Sequence, residues 1–304
     1  MLKKCLKYDL KAVFRIWWIA AVSVLGMAVV CGFCTRRMAL NTDPTNMMIM
    51  EGMVVFSSVV AAIAFSILAT ILLIVRYYTN FFKDEGYLTF TLPVKRQTLF
   101  LSKIISSVIV NFATLAVIGL GVCIVLLMTP CADDKVSAPM LFSTVRLEQA
   151  PPNMLVALAI AYGNAFADAI ENIGGYFWIY AAEACVLGFF GLLMQTLLIY
   201  FCMTIGATVA KKQKILASIG IYYGSNMLIS FVQQFGFIAM MAWAMSGLVM
   251  NVEKLEGLQQ DEAFFMILPM AALLLLIWIL FYAIVSTILG FASLGTLERK
   301  LNLQ

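Results

Sequence analysis

Histidine is absent from this sequence of 304 residues, and charged side chains make up only 12% of it. Without histidine, the chain cannot form a Ser–His–Asp triad, an HExxH zinc site or a histidine proton relay. It also contains no GxxxxGK[ST] segment, the pattern whose backbone amides hold nucleotide phosphates. Basic residues interleaved with aromatic ones, as nucleic-acid binding requires, are missing as well. We therefore expect no enzyme active site, no cofactor held by this chain and no nucleic-acid partner.

Apolar side chains are in excess, at 63% of the residues, and the mean hydropathy is +0.98. A soluble domain averages about 45–50% apolar and about 25% charged residues. Six apolar runs reach the length of about 20 residues that a helix needs to span a bilayer. The composition therefore predicts an all-α integral membrane protein with six transmembrane helices, at Ile16 to Cys34, Gly52 to Val75, Ile104 to Met128, Tyr176 to Gly206, Ile215 to Met245 and Phe264 to Gly290.

Two segments outside these spans have the pattern of amphipathic helices. Residues 1–15 place apolar side chains on one helical stripe and basic ones elsewhere, which predicts a helix lying in the membrane interface. A signal peptide is the alternative for this segment. Residues 129–175 form the largest connection, and we expect an amphipathic helix on the outer surface within it. A seventh crossing is the alternative there, although Asp168 and Glu171 would be costly in lipid.

The basic residues set the expected orientation of the helices. In bacterial and other membranes, Lys and Arg collect in the short loops on the cytoplasmic side. If both termini are cytoplasmic, fifteen of the twenty Lys and Arg residues lie on that side. The sequence therefore predicts a multi-pass protein with both ends in the cytoplasm, in contact with the lipid bilayer.

The polar stretch from Arg76 to Lys103 stands between the second and third spans and is the densest mixture of charge and aromatics in the chain. Asn80 or Thr79 can cap a short helix within it, and Pro93 ends that helix because it disfavours helical backbone at the residue before it. Its apolar side is too short to span a membrane and suits packing against another protein. An ordinary interfacial loop that only joins two helices is the alternative.

The run NFFKDEGYLTFTLPVKRQTLFLSKI in this stretch resembles the ABC-2 type permease family. Members of that family commonly carry a similar "DEGYLTFTLPVSR" segment between their second and third membrane helices. The sequence departs from it at Lys95, where serine is more usual. A second stretch, from Gln195 to Gly224, is similar to the fourth-to-fifth helix region of the family. The resemblance covers most of the chain and is weakest from Cys131 to Gly175.

The resemblance implies that residues 1–304 form a single permease domain, the membrane subunit of a bacterial ABC exporter in the plasma membrane. Such a subunit pairs with a second permease, identical or homologous, and with separate ATPase subunits that bind ATP and magnesium. Residues 1–15 would be the elbow helix of the family. The 76–103 loop would hold a coupling helix that contacts the ATPase through Asp84, Glu85, Gly86, Tyr87, Leu88, Thr89 and Leu92.

Polar residues inside the predicted spans are candidates for a substrate path. Glu183, Gln195, Asn226 and Gln233 lie at mid or flanking depths of the fourth and fifth spans. Hydrogen bonding between helices is the alternative role for the amides, since polar groups in lipid are best satisfied by a neighbouring helix. Glu183 differs because an ionisable group within a span is a functional candidate by default.

The expected function is export of an amphipathic or apolar solute, such as a peptide, lipid or drug, by alternating access. An ion-coupled secondary transporter is one alternative, for which Glu183 is the only acidic candidate. A membrane anchor or sensor that recruits a soluble protein is another. Among the seven cysteines, Cys31 and Cys34 have CxxC spacing, and a disulfide from either to Cys131 stays open.

Overall fold

The structure of the chain is a computed structural model. It describes residues 2–40, 46–82, 96–130, 135–138, 143–146, 152–210, 213–250 and 260–299. Helices dominate these residues, as the apolar composition predicts. In chain order the elements are α1 (Leu2–Leu40), α2 (Asn46–Phe82), α3 (Arg96–Met128), β1 (Lys135–Ala138), β2 (Ser143–Arg146), α4 (Met154–Ile173), α5 (Tyr176–Val209), α6 (Lys214–Met250) and α7 (Gln260–Arg299).

Six helices of the described chain, α1, α2, α3, α5, α6 and α7, are long and apolar enough to cross a membrane. Their spanning segments have mean hydropathies from 1.5 to 2.8. In α4 the apolar stretch is shorter, running from Met154 to Asn164. The predicted set of six transmembrane helices is confirmed, and the chain has the helices of a multi-pass membrane protein.

The helices extend beyond their predicted ends. Residues 1–15 are not a separate helix, because α1 runs without a break from Leu2 to Leu40. The sequence explains this continuity, since the first glycine is Gly26 and no proline precedes it. Helix α2 continues to Phe82 and α3 begins at Arg96. Both helices therefore enter the 76–103 loop, and a shorter connection remains between them.

The connection after α3 contains an antiparallel strand pair that the sequence analysis did not predict. Lys135 on β1 pairs with Arg146 on β2, and Ala138 pairs with Ser143. Each strand has four residues, fewer than periodicity in a sequence can identify with certainty. The predicted helical class is therefore confirmed, and this small hairpin is an addition within the connection.

The described chain divides into two compact units, the first of which comprises Leu6–Val75 and Ile109–Asn172. Its core uses side chains at four-residue spacing, which places them on one helical face. The Trp17 indole N–H donates to the Thr114 hydroxyl at 3.0 Å, so that this buried polar group on α1 is satisfied by α3. The buried core side chains are Val13, Trp17, Ala21, Phe65, Ala69, Leu73, Val110 and Val117.

The second unit comprises Met1–Cys5, Arg76–Val108 and Ile173–Gln304. Helix α5 packs against both α6 and α7 and supplies much of the buried surface of this unit. Helix α5 approaches α6 closely at Gly206. A β-carbon built at Gly206 would lie 2.6 Å from both the Cα and the backbone nitrogen of Ser218. Only glycine therefore allows this contact.

Replacing Gly206 by alanine should destabilise the protein, because the added methyl group meets backbone atoms that cannot rotate away. Overpacking of this kind costs about 1–3 kcal/mol. Gly188→Ala is the matched control on the same helix, because nothing lies within 4 Å of a β-carbon there. Thermal unfolding in detergent should show a lower midpoint for Gly206→Ala and an unchanged or higher one for Gly188→Ala. Equal midpoints for the two variants would contradict this packing.

Candidate functional site

The residues predicted to contact an ATPase (Asp84, Glu85, Gly86, Tyr87, Leu88, Thr89 and Leu92) lie outside the described residues. The structure does describe the helices that lead into and out of this segment. Helix α2 ends at Phe82, and α3 begins at Arg96. The segment is covalently joined to α2 and α3. The contacts of these helices near Phe82 and Arg96 therefore show which other elements it is connected to.

Four hydroxyl-bearing side chains from three helices meet near these ends. Tyr77 comes from α2, Ser107 from α3, and Tyr200 and Thr204 from successive turns of α5. We call this group the hydroxyl cluster. Tyr77, Ser107 and Thr204 are 0% exposed and Tyr200 is 2% exposed. A hydroxyl removed from water to this extent needs a hydrogen-bond partner, and all four have one.

The first hydrogen bond joins α2 to α5. The Thr204 hydroxyl donates to the backbone carbonyl of Tyr200 at 2.7 Å, which uses its one proton. The Tyr77 and Thr204 hydroxyl oxygens are 2.8 Å apart. We assign the Tyr77 hydroxyl as the donor in this pair, because the Thr204 hydroxyl is directed at the Tyr200 carbonyl. With this assignment the hydrogen bonds run from Tyr77 through Thr204 to a backbone carbonyl.

The second hydrogen bond joins α5 to α3 in the same way. Ser107 donates its proton to the backbone carbonyl of Lys103 at 2.8 Å. The Tyr200 and Ser107 hydroxyls are hydrogen-bonded to each other, and either of them can be the donor. The rings of Tyr77 and Tyr200 stack with their centroids 4.1 Å apart and their planes 10° from parallel, which connects the two hydrogen-bonded pairs.

The hydroxyl cluster attaches both ends of the 76–103 loop to one helix. Tyr77 lies near the end of α2, Ser107 lies near the start of α3, and each bonds a different residue of α5. Hydrogen bonds between membrane helices contribute about 0.6–2 kcal/mol each. A displacement of the loop that carried either end with it would therefore act on α5.

Two of the predicted substrate-path residues instead join helices. The Gln195 amide donates to the Tyr222 hydroxyl at 2.6 Å and links α5 to α6. The Gln233 amide donates to the Tyr282 hydroxyl at 3.2 Å and links α6 to α7. These contacts favour the alternative role of hydrogen bonding between helices for both amides. They leave open whether the same side chains also face a substrate.

The other two predicted residues have no such contact. Glu183 is half-buried on α5, and its Oε2 atom is buried without a hydrogen-bond partner in the described part of the chain. Asn226 is half-buried on α6. The four residues are distributed along the two helices. Glu183 keeps its place as the functional candidate among them because its carboxylate oxygen is unsatisfied.

The sequence analysis missed the hydroxyl cluster, although a signal for it exists. Tyr77 and Ser107 flank the 76–103 loop closely, and Tyr200 and Thr204 lie one helical turn apart in an otherwise apolar span. Hydroxyls near the same end of several spans are candidates for contacts between helices. Which hydroxyls actually meet depends on the helix packing, which the sequence alone does not supply.

The cysteines of the described residues are reduced. Cys31 and Cys34 are free thiols, so they do not form a disulfide with each other. The Cys31 sulfur accepts a hydrogen bond from the Ser58 hydroxyl at 3.3 Å. Cys131 lies outside the described residues, so a disulfide to it is untested. No group of three or more acidic residues and cysteines suited to a metal ion occurs among the described side chains.

Comparison with known proteins identified no similar protein. No family model, no curated protein and no solved structure matches the chain. The resemblance to the ABC-2 type permease family therefore stays a prediction from the loop motif and the stretch from Gln195 to Gly224. The hydroxyl cluster, by contrast, is an observation of the structure.

Because Tyr77 is assigned as the donor to Thr204, we predict that substitutions at these two residues differ in their effect on stability. Thr204→Val leaves the buried Tyr77 hydroxyl with nothing to donate to, at a cost of about 1–3 kcal/mol. Tyr77→Phe removes only the donor, and Thr204 keeps its bond to the Tyr200 carbonyl. Thermal unfolding in detergent should therefore show a larger loss of stability for Thr204→Val than for Tyr77→Phe.

The double variant Tyr77→Phe, Thr204→Val should recover part of the loss caused by Thr204→Val, because it contains no unpaired hydroxyl. Thr208→Val is the matched control, since the Thr208 hydroxyl bonds only the Ile205 carbonyl of its own helix. Additive losses in the double variant would show that the two hydroxyls are not coupled. A Thr208→Val variant as unstable as Thr204→Val would contradict the assignment equally.

Proposed function

We propose that this chain is the membrane-spanning subunit of an ABC exporter of the ABC-2 type in a bacterial plasma membrane. It moves an amphipathic or apolar solute, such as a peptide, lipid or drug, by alternating access. A separate ATPase subunit binds ATP and magnesium and supplies the energy. The DEGYLTFTLP segment, residues 84–93, carries this proposal, because the resemblance places it where the family contacts its ATPase.

The position of the segment in the fold supports the proposal. It lies between α2 and α3, the second and third of the six helices long enough to span a membrane. Both ends of its loop are bonded to α5 through the hydroxyl cluster. An ATPase that moved a coupling helix here would act directly on three membrane helices. An interfacial loop with no partner would not require attachment to the same helix at both ends.

The finer topology belongs to the proposal as well. Both termini and the 76–103 loop lie in the cytoplasm, on the side where basic residues collect. The first part of α1, residues 2–15, acts as the elbow helix, although it is continuous with the first span. Helix α4 lies at the outer membrane surface. A second permease subunit, identical or homologous, completes the transport path.

An ion-coupled secondary transporter is the second candidate function, and one observation favours it. The Oε2 atom of Glu183 is buried and unsatisfied within a helix long enough to span the membrane. A carboxylate in that position suits a coupling ion or proton. Transport driven by an ion gradient, insensitive to ATP and lost in Glu183→Gln, would support this function. A membrane anchor that recruits a soluble protein through the same loop would bind its partner without any transport.

Changing Gly86 to arginine or Leu88 to aspartate should separate the chain from its ATPase. Each variant places a new charge at a position where the resemblance predicts an uncharged contact residue. Affinity purification in mild detergent, from cells that also express the neighbouring genes, should recover a stoichiometric ATPase with a P-loop sequence. The two variants should lose most of that ATPase, by about tenfold or more, since one buried unpaired charge costs several kcal/mol.

Lys95→Ser is the matched control in the same loop, because serine is the usual residue at that position in the family segment. It should retain the ATPase. Folding of each variant is checked by its elution profile and its thermal midpoint in detergent. Undiminished ATPase recovery with well-folded Gly86→Arg and Leu88→Asp would contradict the coupling role. Recovery of no ATPase with the unmodified chain would contradict the exporter itself.

A further inference from the structure

A cavity of about 580 Å³ lies at the start of α6, within the second compact unit. Its walls are formed by Tyr78 on α2, by Gln213 and by the first turns of α6. Pockets that hold small ligands measure about 300–1,000 Å³, so a headgroup-sized ligand fits this volume. The cavity has no role in the hydroxyl cluster or in the proposed ATPase contact.

The polar wall of the cavity is rich in hydrogen-bond donors. Tyr78 contributes a hydroxyl, Gln213 an amide and Lys214 an ammonium group. Within the described part of the chain, none of these three side chains makes a hydrogen bond or an ion pair. No carboxylate is among the lining residues that the structure describes. A wall with a cation and two unpaired donors but no acid favours an anion.

The remaining lining residues of the cavity are apolar and exposed. Ile215, Leu216 and Ile219 are 55%, 65% and 47% exposed, and they continue directly into the spanning part of α6. Lys214 begins that span, so the cavity lies at the boundary between the hydrocarbon and the polar headgroup layer. The positive end of the α6 dipole adds to the attraction for an anion at this boundary.

We propose that this cavity binds a phosphate group, and that the phosphate belongs to an anionic phospholipid of the adjacent leaflet. The Lys214 ammonium pairs with the phosphate, while the Tyr78 hydroxyl and the Gln213 amide donate to its oxygens. The acyl chains lie along Leu216 and Ile219. The apolar wall favours a lipid over a soluble phosphate, which would leave that wall unused. This inference holds whether or not the chain is an exporter.

The size of the effect follows from the charge on Lys214. A basic residue at a membrane surface contributes about 1 kcal/mol to attraction of an anionic lipid, which corresponds to a factor of about five in affinity. Phosphatidylglycerol should therefore bind the delipidated full-length chain several-fold more tightly than phosphatidylcholine with the same acyl chains. Native mass spectrometry in detergent measures both affinities directly.

Lys214→Gln should lower the affinity for phosphatidylglycerol about fivefold, and Lys214→Arg should largely preserve it. Tyr78→Phe should weaken binding as well, since it removes one donor and leaves the ring in place. Lys7→Gln is the matched control, because it removes an exposed lysine of α1 that does not line the cavity. Its affinity for phosphatidylglycerol should equal that of the unmodified chain.

Titration with inorganic phosphate distinguishes the two possible sources of the phosphate group. Phosphate at millimolar concentration should fail to displace phosphatidylglycerol, which assigns the cavity to a lipid. Displacement that is lost in Lys214→Gln would keep the phosphate site and overturn the assignment to a lipid. Equal binding of the two lipids, or equal effects of Lys214→Gln and Lys7→Gln, would overturn the proposal as a whole.

Discussion

A polar group inside a membrane must find its hydrogen-bond partner within the protein, because the hydrocarbon offers none. Several pairs of described helices meet that requirement. Trp17 donates to Thr114, Gln195 to Tyr222, and Gln233 to Tyr282, so that each of these pairs joins two helices. The same requirement brings the hydroxyl cluster together, and with it both ends of the 76–103 loop. The arrangement of the helices thus depends on a small number of polar contacts in an apolar background.

The sequence was sufficient for the six membrane helices, because each is a long apolar run that exceeds the bilayer thickness. It was less informative about their ends. Tyr77, Tyr78 and Phe82 belong to α2 although they follow a charged residue, Arg76, that marks a loop in a hydropathy profile. The 135–146 hairpin was missed because two strands of four residues leave too little periodicity to detect. These errors arise from local sequence signals that tertiary contacts override.

The sequence predicted where the candidate site lies, but not which residues contact each other there. The 76–103 loop drew attention through its charge and its similarity to a family segment. The contacts that attach it to α5 involve Tyr200 and Thr204, more than 90 residues further along the chain. Nothing in the local sequence of the loop indicates these partners. Glu183 illustrates the opposite case, since a single acidic residue in an apolar run was noticeable from the sequence and is unsatisfied in the structure.

The central claim is that residues 84–93 meet a soluble ATPase, and photo-crosslinking tests it most directly. A benzophenone amino acid in place of Leu88 would be activated in membranes from cells that express the neighbouring genes. Mass spectrometry would then identify the crosslinked protein. The account predicts an ATPase with a P-loop sequence at this position, and none when the same probe replaces Phe56, an exposed residue of α2. A probe at Leu88 that reacts only with lipid, or with this chain itself, would contradict it.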